Sequence, residues 1–306
     1  LCKSLFREFQ KRSSKVVEGD YVKLLHLLWF ALRLHRIWDR HESREKRRKP
    51  KSAATTKRNL DDSGDDTMDK SAFSPPKDPL ELKQISSATS MWVVQWCCKC
   101  CQNYGFNKDK GQHDWKALTL AASVLKECLL GIQRMESSKS TAARAQKMWI
   151  HILQNQEVLD LVPQLLAEWS PKKATRLLLA DIICIAHILL KKSTDAKLLH
   201  AIDAQNKDFS SEMFVRQFVN NLILMNYVFM LRDIDRNDPK TNYYIAHFLD
   251  RIRRIENSNY EAIFFHIQFL DTFHEVLKSR TLSKNRLDPQ QQFTKDFILS
   301  VVGGFF

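Results

Sequence analysis

Apolar residues recur along most of this chain at intervals of three and four, the period of one face of an α-helix. The clearest run is Phe214, Phe218, Leu222, Met225 and Phe229, which predicts a helix over 210–233. Asp238-Pro239 restarts the chain as a second helix: aspartate accepts from free N–H groups, and proline loses nothing at the first helical position. Ser258 and Glu261 have capping-box spacing and open a third helix. Asp288-Pro289 opens a fourth, which Gly303-Gly304 is expected to stop.

Upstream, the same periodicity predicts helices over 1–15, 20–38, 84–104, 113–135, 140–155 and 158–169, with Pro163 as a kink or restart in the last. Ser170-Pro171 is read as the cap of a helix reaching Lys191, and a short helix follows over 195–204. The sum is about twelve helices and no strand. Helical pairs joined by short polar turns predict an all-α, armadillo/HEAT-like helical-repeat solenoid, although no fixed sequence period recurs.

Residues 39–82 break the pattern, because hydrophobic side chains nearly vanish. Arg40–Arg58 carries nine basic residues against Glu42 and Glu45, a net of +7, and Asn59–Leu82 carries a net of −5. Such a segment cannot bury enough apolar surface to offset its ordering entropy, which predicts a long disordered insertion. The chain therefore divides into a first helical pair at 1–38, a charged loop at 39–82 and a helical-repeat scaffold at 83–306. Within the loop, Lys46, Arg47, Arg48, Lys49 and Lys51 form a candidate nuclear-localisation patch. A solvated charge run that keeps the loop extended has the same composition.

Charge changes the picture next. The 306 residues carry a net +13 with a pI near 9.4, which favours acidic partners, whether nucleic acid or protein. The two halves of the insertion nearly cancel, so the excess is spread through the helices. No apolar run approaches the roughly 20 residues of a membrane span. Seven cysteines, mostly in apolar helical context, fit a reducing, intracellular compartment. The start at Leu1-Cys2-Lys3 has neither a methionine nor a signal layout, and reads as that of a fragment.

Chemistry is harder to find. Cys97-Cys98-Lys99-Cys100-Cys101 holds two overlapping Cys-x-x-Cys pairs, but on a helix these point to neighbouring faces, so a buried cysteine-rich core is the better reading and no metal is expected. Asp233 to Asp238 lacks the glycine and glutamate of a calcium loop. No phosphate loop, zincin or nucleophile-elbow motif occurs, so neither a catalytic residue nor a cofactor is expected.

What remains is surface. On the helix after Pro239, Ile245, Phe248, Leu249, Ile252 and Ile255 face the core, while His247, Arg251 and Arg254 share another face. Lys240 starts that helix, and Lys278, Arg280, Lys284 and Arg286 crowd the next joint. These eight residues make a candidate DNA-binding ridge able to track phosphates without reading sequence. A solvated helix face paired to Asp250, Glu256 and Asp271 is the plain alternative.

The stretch from Asp235 to Leu277, followed by Phe293–Phe306, resembles the middle region of the Timeless family. The segment Asn237, Pro239, Lys240, Thr241, Asn242, the pair His247 and Arg251, and the closing Phe305-Phe306 carry the likeness. Ser4–Arg36 and Asp114–Met135 look like earlier blocks of the same region in the same order. The resemblance implies a non-catalytic, nuclear replisome scaffold of the fork-protection complex. It would be an obligate partner of a Tipin-type small subunit and contact the MCM helicase, duplex DNA and checkpoint mediator proteins, with no membrane role. A circadian Timeless paralogue that binds a clock repressor, or a generic armadillo/HEAT peptide adaptor, would share the fold.

Overall fold

The computed structural model describes residues 18–48, 89–106, 114–204, 209–255, 263–284 and 286–305, with side chains from 20 to 37 in the first segment. The described residues hold twelve α-helices and no strand, an all-α helical solenoid. In order these are α1 (Glu18–Arg48), α2 (Met91–Phe106), α3 (Trp115–Glu136), α4 (Ala142–Leu153), α5 (Gln156–Glu168) and α6 (Arg176–Lys192). There follow α7 (Ala196–Asp203), α8 (Ser211–Arg216), α9 (Asn221–Arg232), α10 (Pro239–Arg253), α11 (Ile267–Leu277) and α12 (Pro289–Phe305).

Two layers form the stack. Helices α1, α3, α6, α10 and α12 lie side by side in one, and α2, α5, α9 and α11 in the other, while α4 packs across α3 and α5 with α7 against it. Contacts between joints show that α6 and α10 run parallel in one layer, and α9 and α11 in the other. Arg176 at the start of α6 pairs with Asp233 just after α9, and Arg232 at the end of α9 reaches Glu275 near the end of α11 at 3.1 Å. The α5–α6, α9–α10 and α11–α12 joints therefore share one long edge.

Apolar burial holds the layers together. Trp149, Tyr227, Phe218, Phe264, Phe269 and Phe273 are the largest fully buried side chains, each worth roughly 1.5–3 kcal/mol on burial. Two ionic contacts cross the core. Arg36 of α1 lies 3.0 Å from Glu127, whose residue is 0% exposed, and the Lys126 ammonium meets Asp181 of α6, which also accepts from Ser123. Together they tie α1, α3 and α6 in register.

Several sequence expectations need correction. Helix α1 continues to Arg48 instead of ending at Trp38, because residues 39–48 are mostly good helix formers with Glu42 four residues ahead of Lys46. The helix expected over 210–233 is two: the Asn220 side chain caps the Leu222 N–H at 2.8 Å and opens α9, which leaves Leu222 exposed. Thr175, not Ser170-Pro171, caps α6, accepting from the Leu178 N–H at 3.3 Å. Helix α5 runs unbroken through Pro163, and α12 runs through both glycines to Phe305. The helix over 1–15, most of the charged loop, Lys49 and Lys51, and the Ser258–Glu261 capping box lie outside the described residues; Lys46, Arg47 and Arg48 lie on the α1 backbone.

Candidate nucleic-acid interface

The α9–α10 joint is built by side-chain amides. Asp238 accepts from the Lys240 N–H at 3.0 Å, and Pro239 has no N–H to satisfy. Asn237 donates to the Met230 carbonyl at 2.7 Å and to Asn242 Oδ1 at 2.8 Å, and buried Asn242 donates to the Ile234 carbonyl at 2.9 Å. Asn237 Oδ1 in turn accepts from Arg176 at 2.9 Å. The Asn237 and Asn242 side chains are thus satisfied inside the protein, and Lys240 is left exposed at the start of α10.

The α11–α12 joint docks on the same bend. The Asp235 carboxylate accepts from the Thr281 hydroxyl at 2.7 Å, the Thr281 N–H at 2.8 Å and the Arg280 N–H at 3.3 Å. The Thr281 hydroxyl, then the two N–H groups, hold its pKa below the usual carboxylate range. Asp288 caps α12 through the Gln290 and Gln291 N–H groups at 2.8 and 2.9 Å. Lys278, Arg280, Lys284 and Arg286 are exposed around this bend. Five of the eight ridge candidates, with Lys240, thus lie on one edge formed by two docked joints.

The other three sit elsewhere. Arg254 lies fourteen residues beyond Lys240 at the far end of α10, roughly 21 Å away at the helical rise. Arg251 is half-buried against α6: its guanidinium donates to the Leu190 carbonyl and, at 3.4 Å, to Thr194 Oγ1. His247 packs among aromatic rings, 5.2 Å from His187 and 5.8 Å from Phe293. Arg254 is exposed but pairs with Asp250 at 2.9 Å. These three do share a face, and with Thr194, Glu212 and Asp250 they line a groove of about 490 Å³ between α6, α8 and α10.

One group there was not legible in sequence. His187 stacks on Tyr244 with ring centroids 4.0 Å apart, and burial, then His247, lowers its pKa to about 3. Burial, then Arg251, also lowers that of His247. A histidine pair of this kind needs two helices to meet face to face, and a sequence of one helix carries no sign of the other.

The cysteine run on α2 is buried at Cys97, Cys98, Cys100 and Cys101. Burial pushes all four thiols up, Cys100 to about 12, so they are protonated, poor nucleophiles. Among the described residues, no three His, Cys, Asp or Glu side chains converge as a metal site would require. No described helix is long and apolar enough to cross a membrane.

Residues 221–306, which are α9 to α12 with their joints, match the family model described as TOF1-like, helical domain. The match covers less than a third of the chain and supports a Timeless/Tof1-like relationship for that span. No curated protein matches the chain.

Proposed function

We propose that this chain is a non-catalytic scaffold of the replication fork-protection complex, acting in the nucleus. It pairs with a Tipin-type small subunit, contacts the MCM helicase and checkpoint mediators, and holds duplex DNA without reading sequence, in support of fork stability and rate. The observation that carries this reading is a coincidence of place. The family match spans α9 to α12, and within that span the two docked joints present Lys240, Lys278, Arg280, Lys284 and Arg286 to solvent. Exposed cations fixed on rigid bends suit contacts to a phosphate backbone.

The test is binding of a random-sequence duplex to the chain with its small partner, titrated in salt. With five phosphate contacts, log affinity falls with log salt at a slope of about 4 to 5. The variant K240E/K278E/R280E/K284E/R286E loses most of that slope. Binding by this variant equal to wild type excludes the edge as the DNA contact. Absence of duplex binding by either protein favours a peptide-binding adaptor, for which the mixed-charge groove beside Arg254 is the place to look.

A further inference from the structure

The edge continues past the two joints of that reading. The α5–α6 joint lies next to the α9–α10 joint, held there by Arg176, which pairs with Asp233 and donates to Asn237 at 2.9 Å. On it Lys172 and Lys173 are exposed, and Arg236 is exposed on the neighbouring bend, close enough for its charge to help lower the Arg176 pKa, after burial. None of the three has an ion-pair partner among the described residues. Most acids of the same edge are engaged: Asp233 by Arg176, Asp235 by the 280–281 backbone, Glu275 by Arg232, and Asp238 and Asp288 as helix caps. Glu168, exposed at the end of α5, is the acid nearest the two lysines in sequence.

We infer that Lys172, Lys173 and Arg236 are further phosphate contacts, which extend the duplex site along the edge to the α5–α6 joint. This rests on the fork-scaffold reading above and lengthens its DNA footprint. Two helix spacings of 8–10 Å separate the α11–α12 and α5–α6 joints, roughly 20 Å, which is about six base pairs of duplex. A single stretch of backbone can therefore meet all three joints at once.

The experiment compares wild type, K172A/K173A, K172A/K173A/R236A and K278A/R280A/K284A/R286A in the same salt titration, each first shown to melt as wild type does. The lysine pair is expected to lower the salt slope by about 2 and the triple by about 3, weakening all duplex sequences alike. Wild-type affinity and slope in both α5–α6 variants, with loss in the quadruple, overturns this inference and leaves the shorter site intact. Wild-type binding by the quadruple as well removes the reading beneath it.

Discussion

The Arg251 guanidinium donates to the Leu190 carbonyl, so one helix closes the open end of another. The Leu190 carbonyl lies in the last turn of α6, where it also accepts from the Ser193 hydroxyl at 2.9 Å, and a cation there meets the favourable end of the helix dipole. Replacing Arg251 with Ala should therefore cost about 1.5–3 kcal/mol in urea unfolding, the range for a hydrogen bond to a charged group. Arg254→Ala, whose pair with Asp250 is largely exposed, should stay within about 0.5 kcal/mol. Equal costs would show that the contact to Leu190 contributes little. Charge reversal at Arg251 thus reads out stability before it reads out binding.

A second consequence concerns the core. Lys126 and Asp181 are both largely buried, so removing one strands the other's charge. Lys126→Met is expected to destabilise by about 3–5 kcal/mol, whereas the double variant K126M/D181L recovers most of that loss. A double-mutant cycle by chemical denaturation measures both, and additive single costs would refute the coupling.

Acid should loosen the α6–α10 contact. Folding lowers the His187 pKa from 6.5 to about 3, so between those values the unfolded chain takes up a proton the folded chain refuses. Stability is then full above about pH 6.5 and falls as pH drops, by about 2 kcal/mol from this residue alone at pH 5. His247 adds a smaller loss of the same sign. Unfolding free energy followed from pH 7 to 5 checks this, and His187→Phe should flatten the curve. An unchanged slope in that variant would assign the acid sensitivity to other groups.

Helix α1 carries a second apolar face. Leu27, Phe30, Leu34 and Ile37, spaced three, four and three apart, are 59%, 60%, 43% and 55% exposed, opposite the buried Leu25, Leu28 and Leu32. Apolar side chains in such a row favour self-association. Replacing all four with Gln should raise the concentration at which the chain stays monodisperse in light scattering, while the melting point moves little. A large drop in melting point would mean that this face is covered within the chain.

Much of this was legible because its signals are local. Asp238-Pro239 and Asp288-Pro289 marked helix starts that the structure keeps, and the Ile245, Phe248, Leu249, Ile252 stripe of α10 is buried as its spacing requires. Failures came where the deciding partner is distant in sequence or a propensity outweighs an expected break. Spacing of four and three puts Arg251 beside His247 but cannot show that the end of α6, some sixty residues earlier, lies across from it. The split at Asn220 was hidden because Phe218, Leu222 and Met225 continue the apolar rhythm across the break. Likewise, nothing near Asp235 announces that it will hold the backbone of Thr281.

That last contact also bears on time as well as place. The Asp235 clamp and the Asn237–Asn242 cage set the α9–α10 bend and residues 280–281 against it before any ligand arrives, so these groups need not be ordered at the moment of encounter. Charges held ready in this way act chiefly on approach. On the duplex-binding proposal, salt should therefore slow association many-fold while leaving the lifetime of the bound state nearly unchanged.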